Sequence, residues 1–257
     1  MTVLFEKDGA VARVTIDRPE RMNAVDPATE TELMRIWDEI DADPALRVAV
    51  LTGSGERAFS AGADMKATGN ATGLEYWCAQ NPDGFGGISM RRLRVPLIAR
   101  VNGLALGGGM EMVLGADIVI AAETARLALP EAKVGRMPLD GGMVLLARMI
   151  PEKIALGLMI TGRMMGAEEA QRLGLVNAVV AAGDLDAEVT RWCDDILSCA
   201  PLSVRAIRAQ VAEARSAPPA EVRRRLTPEL RAALLSPDAD EGVAAFVEKR
   251  APVWTGE

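Results

Sequence analysis

Short apolar runs closed by glycine, set between stretches of helical periodicity, constrain this 257-residue chain more than any other feature. Val48 to Thr52 is a β-branched run ended by Gly53, and Pro96 to Val101 is another ended by Asn102-Gly103. Runs of that length between turn signals suit strands buried on both faces. Val11 to Ile16 alternates toward a strand that Asp17-Arg18-Pro19-Glu20 terminates. A helix follows, with Asp26 as N-cap, Pro27 at its first position and Leu33, Ile36, Trp37 and Ile40 on one face. Asp43-Pro44 closes it. Asp117 to Ala121 and Val176 to Val180 read as further strands, and Ala167 to Leu173 as a short helix stopped by Gly174. Alternation of this kind is the signature of an α/β fold.

At 49% apolar residues the chain can bury the core of one large domain, or of one domain with an appendage. Strands cease near Cys199, which divides the sequence into a core over 1–198 and a helical region over 199–257. In that tail Leu202 to Ala214, Ala220 to Leu235 and Asp238 to Arg250 read as helices. Leu226, Leu230, Leu234, Leu235 and Phe246 would be partly exposed on a lone appendage, so a homo-oligomer is expected. Between Ala67 and Gly87 the pattern dissolves around Glu75-Tyr76-Trp77, and a loop that long is usually functional or mobile. The net charge of −7 argues against a nucleic-acid or anionic-membrane surface. Cys78, Cys193 and Cys199 are odd in number and lack metal-ligand or redox spacing; reduced thiols in a cytoplasmic setting follow. The N-terminus carries acids where a signal peptide needs apolar residues, and no apolar stretch is long enough for a bilayer.

The chain has no histidine. His-based triads and His-ligated zinc are excluded, no metal site is expected, and chemistry falls to carboxylates and backbone N–H groups. Gly107-Gly108-Gly109 follows a strand, opens a helix, and lets a ligand approach bare amides at a helix N-terminus. It lacks the Lys-Ser/Thr of a phosphate loop and the glycine spacing of a dinucleotide site, and by itself is equally a tight turn. Ser60-Ala61-Gly62-Ala63-Asp64 offers a second donor amide on the same terms. Glu111 reads either as a chemical group or as a solvated first-turn acid, and Glu131 either as its partner or as a loop acid. Asp140, before Gly141-Gly142 and an apolar run, is most simply a helix N-cap; a third pocket carboxylate is the alternative. Cys78 reads as a small semi-buried hydrophobe, since nothing near it supplies a base. Tyr76 and Trp77 either enclose a ligand or anchor the loop in the core. Arg91, Arg92 and Arg94 read as a solvated helix face.

Taken together, Arg18-Pro19 with Met22-Asn23-Ala24, Phe59 to Asp64, Asn102 to Gly109 and Pro130-Glu131 resemble, in order and over nearly the full length, the crotonase family of enoyl-CoA hydratases and isomerases. Thr161 to Ala170 and the ending Phe246 to Trp254 are similar to its carnitinyl-CoA dehydratase branch. That branch tends to place an acid directly after the proline of a Pro-x-x-Gly-Gly turn, whereas Pro138-Leu139-Asp140-Gly141-Gly142 has it one residue later. The resemblance implies a spiral of repeated strand-strand-helix (ββα) units with a C-terminal helical trimerisation layer, assembled as trimer or hexamer. It implies the Ala63 and Gly108 amides as an oxyanion hole, Glu111 and Glu131 as catalytic acids, and Ala24, Ala61, Asp64, Met65, Lys66 and Lys249 as substrate- and CoA-binding positions. The expected reaction is reversible addition of water to a 2-enoyl-CoA thioester, with no cofactor beyond the CoA the substrate carries. An enoyl-CoA isomerase and a non-catalytic acyl-CoA-binding protein are the rival readings.

Overall fold

The structure is a computed structural model that describes residues 2–67, 72–79 and 81–257. It opens with an antiparallel hairpin of β1 (Val3–Asp8) and β2 (Val11–Ile16), in which Val3 pairs with Ile16. Helix α1 (Pro27–Ala42) starts where expected, the Asp26 side chain accepting from the Thr29 N–H, and it buries Leu33, Ile36, Trp37 and Ile40 completely. Then come β3 (Val48–Gly53), β4 (Ala58–Ser60), α2 (Gly73–Cys78), β5 (Leu97–Val101), β6 (Leu104–Leu106), α3 (Gly108–Gly115), β7 (Ile118–Ala122) and β8 (Arg126–Ala128). A 3-10 turn at Glu131–Val134 leads to α4 (Gly142–Met149), α5 (Glu152–Thr161), β9 (Met165–Gly166), α6 (Ala167–Arg172), β10 (Ala178–Val180) and α7 (Leu185–Leu197). The tail is α8 (Pro201–Glu213), α9 (Pro219–Val222), α10 (Pro228–Leu235) and α11 (Pro237–Glu248).

The strands sort into a six-stranded sheet, β1-β2-β3-β5-β7-β10, and a four-stranded sheet, β4-β6-β8-β9. The pairs β3/β4, β5/β6 and β7/β8 each send their first strand to the larger sheet and their second to the smaller one, with β3, β5 and β7 parallel in the one and β4, β6 and β8 parallel in the other. One helix or turn then returns the chain, and the path advances as a spiral. The larger sheet is covered on both faces, which is why β3 reads as an unbroken apolar run: Ala49 and Leu51 join the core shared with the smaller sheet and α1, while Val48 and Val50 pack toward Leu185, Val189 and Cys193 of α7. Among the described residues, no helix is long and apolar enough to cross a membrane.

Four expectations change. The 67–87 loop, of which 68–71 and 80 lie outside the described residues, contains α2, opened by a capping box between Thr72 and Glu75. Residues 91–94 are not helical: Arg91 pairs with Asp38, Asp41 and Asp83, and Arg94 donates to the Asp41 and Leu46 carbonyls, so both tie the approach to β5 onto the end of α1. The helix read over 220–235 breaks into α9 and α10, because Pro228 cannot continue a helix and instead starts one that Thr227 caps. Cys78 is exposed on α2 rather than semi-buried. The tail is tied to the core by Arg208, which donates to Asp117 and to the Leu93 carbonyl.

Candidate active site

Two backbone N–H groups face outward where the ends of β4 and β6 meet. Val25 and Ala63 form a parallel bridge, the Val25 N–H donating to the Gly62 carbonyl (2.8 Å) and the Asp64 N–H to the Val25 carbonyl (2.9 Å). A peptide is planar and trans, so pinning the Gly62 carbonyl toward Val25 turns the Ala63 N–H away from it. At the start of α3 the Gly107 carbonyl accepts from the Glu111 N–H, which leaves the Gly108 N–H aimed out of the helix end. Among the described residues neither N–H finds an acceptor. The two segments abut: a Cβ on Gly62, itself at φ +83°, would lie 2.7 Å from the Leu106 carbonyl oxygen and 2.9 Å from the Gly108 nitrogen. Only glycine fits there.

Beside the amides stand two acids. Glu111, in the first turn of α3, is 2% exposed, and its Oε1 accepts from the Asp140 and Gly142 N–H groups, both at 2.9 Å. Burial pushes its carboxyl up to about 8; the two N–H groups offset part of this, and the Asp140 and Glu131 carboxylates add to it. Glu131, at the head of the 3-10 turn, lies against the glycine run, its Oε1 3.2 Å from where a Gly107 Cβ would be. Its Oε2 is buried without a partner among the described residues, and burial again raises the carboxyl. The two acids therefore converge on the side of the amides from which α3 begins.

Asp140 is not a helix cap. Gly141 occupies that position with no side-chain bond, while the Asp140 carboxyl is buried, raised by that burial, and accepts from the Tyr76 hydroxyl of α2. The third-carboxylate alternative is the one the structure shows. Tyr76 and Trp77 are half-exposed, so they do not anchor α2 in the core. Glu30 was not singled out in the sequence. It sits in the first turn of α1, where an acid is ordinary, yet its Oε1 accepts from the Gly86 N–H, and burial, helped by Asp140, raises its carboxyl. Among the described residues, no lysine or arginine pairs with Glu30, Glu111, Glu131 or Asp140.

The remaining expected positions divide. Ala24, Ala61 and Asp64 are brought together around the bridge: the Ala61 N–H donates to the Met22 carbonyl, and Asp64 pairs with Arg18. Met65 and Lys66 follow on the exposed side. Lys249 is at the end of α11, with left-handed φ of 55°, and no hydrogen bond or ion pair joins it to this group among the described residues.

Comparison with known proteins places this geometry in context. A family model described as enoyl-CoA hydratase/isomerase matches residues 6–257. Carnitinyl-CoA dehydratase from Escherichia coli (strain K12) is 40% identical over 258 residues, covering 97% of each chain, and its Salmonella typhi counterpart is equally similar. Among solved structures, an enoyl-CoA hydratase from Mycobacterium marinum superposes with a TM-score of 0.90 at 34% identity over 100% of this chain and 99% of that one. Enoyl-CoA hydratase from Bacillus anthracis gives 0.89 at 30% identity, with both chains covered in full.

Proposed function

The chain belongs to the enoyl-CoA hydratase/isomerase family, and on that premise we propose that Ala63, Gly108, Glu111 and Glu131 carry out reversible hydration of a 2-enoyl-CoA thioester. The observation that carries the reading is the pairing of two outward N–H groups, unsatisfied among the described residues, with one buried and one half-buried acid. The amides receive the thioester carbonyl and stabilise its enolate-like charge; loss of one such donor typically costs about 10²- to 10³-fold in rate. A water held by the acids loses a proton to Glu111 as it attacks Cβ, and Glu131 delivers one to Cα. Dehydration reverses both transfers. The deeper burial of Glu111 favours the proton resting there, and that is the form from which dehydration starts, Glu111 protonating the departing hydroxyl while Glu131 takes the Cα proton. The reaction as written needs no group beyond these residues and the CoA the substrate brings. Lys66 and Lys249 are the cations proposed to meet CoA phosphates, with the Ala24 and Ala61 backbone beside them. A panel of enoyl-CoA thioesters tests the reading: hydration removes the conjugated thioester absorbance and takes up labelled water. Deuterium exchange without water uptake would point to an isomerase, and tight binding without turnover to a binding protein.

A second reading of the acyl group has its own observation. Four raised carboxyls with no lysine or arginine paired to them among the described residues favour a substrate that brings a positive charge, with the exposed rings of Tyr76 and Trp77 available to it. The name of the carnitinyl-CoA dehydratase relatives, which implies a quaternary ammonium acyl group, supports this. Asp140→Asn should then lower kcat/KM for a quaternary-ammonium enoyl-CoA and spare crotonyl-CoA; equal effects on both would rule the charge preference out. We further propose a cytoplasmic homo-oligomer, trimer or hexamer, whose contacts cover the apolar faces of the tail.

A further inference from the structure

Arg18 lies outside the acids and amides, yet three groups around the Ala63 amide converge on its guanidinium. The side chain is 12% exposed; Nη2 donates to Asp64 Oδ2 at 3.0 Å and pairs with Asp26 Oδ2 at 2.9 Å. Nη1 donates to the Ala24 carbonyl at 2.5 Å. Ala24 and Asp64 flank the two partners of the Val25–Ala63 bridge, one on each side of it. Asp26 uses its other oxygen to cap α1, accepting from the Thr29 N–H at 2.8 Å.

The ribbon being held is otherwise fragile. On one side Met22 and Asn23 both have left-handed φ, 55° and 54°, which non-glycine residues seldom adopt. Asn23 keeps that shape by donating to the Ser54 and Ala58 carbonyls and accepting from the Arg18 N–H, while its own carbonyl accepts from the Ser60 hydroxyl. On the other side residues 61–64 are joined to this turn by three backbone bonds: Ala61 N–H to Met22, Val25 N–H to Gly62, and Asp64 N–H to Val25. Twist is largest in two-stranded ribbons, and a change of twist here would swing the Ala63 N–H relative to Gly108, whose direction is set by α3 instead. The guanidinium opposes that twist. A planar fork reaches diverging acceptors at fixed angles, which an ammonium on a flexible stem cannot do.

We infer that Arg18 is a positioning residue for the thioester carbonyl: by bridging Ala24, Asp26 and Asp64 it fixes the direction of the Ala63 N–H. The inference rests on the proposed role of that amide. Its test uses Arg18→Lys, which keeps the charge, and Asp64→Asn, which keeps the bonds to Ala24 and Asp26. For each variant, kcat, KM and melting temperature are measured on the full-length protein, together with the carbonyl stretch of a bound conjugated dienoyl-CoA by difference Raman spectroscopy. Wild type should lower that stretch on binding. Arg18→Lys should bind the thioester little changed, lose about 10- to 100-fold in kcat, and lose most of the carbonyl shift; Asp64→Asn should lie between. A merely stabilising Arg18 would reduce the amount of folded protein and leave the stretch of the bound ligand untouched. If Arg18→Lys does not fold, Asp64→Asn reports the same quantity. A full shift retained in the folded variants overturns the positioning role alone, whereas a wild-type protein that produces no shift overturns the amide reading and the positioning role with it.

Discussion

Glu111 is more deeply buried than Glu131, and the Glu131 carboxylate raises the cost of charging Glu111, so the two titrate as one unit. Hydration neither consumes nor releases a proton, so the pair works in both directions with one proton between them, and kcat/KM for hydration and dehydration should share one bell-shaped pH profile. Its alkaline limb should fall near the value of about 8 held by Glu111. Glu111→Gln and Glu131→Gln should each lower kcat by about 10²- to 10⁴-fold, and the double variant should fall well short of the product because both act on one water. Steady-state kinetics checks this, and unimpaired hydration in Glu131→Gln would refute it. The same burial bears on stability. Between the ordinary 4.5 and about 8 the folded protein holds a proton that the unfolded chain has released, so this contribution is fully present below the window and is lost as pH rises through it, at up to about 1.4 kcal/mol per unit. Urea midpoints from pH 5 to 8 should therefore decline less in Glu111→Gln than in wild type. Glu111 and Glu131 stand out in the sequence by the order of their motifs, whereas Asp140 and Glu30 are obscured by local rules: an acid before Gly-Gly looks like a cap, and an acid in a first turn looks like a dipole partner. What separates the readings is burial by α2 and by the loop near Gly86, which no local pattern encodes.

Helix α3 shows how tightly the elements holding the amides are packed. A Cβ on Gly109 would lie 2.2 Å from the Ser60 carbonyl oxygen, a backbone atom that cannot rotate away. Gly109→Ala should consequently push α3 from β4, destabilise the fold by about 1–3 kcal/mol, and lower kcat by moving the Gly108 N–H; denaturant melts with kinetics on the folded fraction measure both. The strands β2, β3, β5 and β7 and the helix α1 were legible because their apolar periods and their caps agree. Others were not. The hairpin strand β1 exposes most of its side chains, α7 starts after Asp184 without a side-chain cap bond and directly after a 3-10 turn, and α2 is a single short helix among residues that individually favour turns. The break between α9 and α10 was available in the sequence, since Thr227-Pro228 is a start signal inside what was read as one helix.

At the scale of the whole molecule the tail presents a surface that water alone does not suit. Leu234, Leu235, Val243, Phe246 and Val247 are 64, 72, 66, 85 and 72% exposed, more apolar side chain in one region than monomers usually leave open. Sedimentation at micromolar concentration should find an assembly, and Phe246→Asp combined with Leu235→Glu should dissociate it while circular dichroism stays native; a monomeric wild type would contradict the proposal. A different consequence follows from the pair of outward N–H groups between β4 and β6. They are main chain, so of all substitutions only proline removes one, whereas a single base change turns either glutamate into glutamine. Nearly every substitution at the two amide positions keeps the donor, while one at either acid rewrites which proton moves, and descendants of such a gene will differ in their reactions sooner than in the kind of molecule they hold.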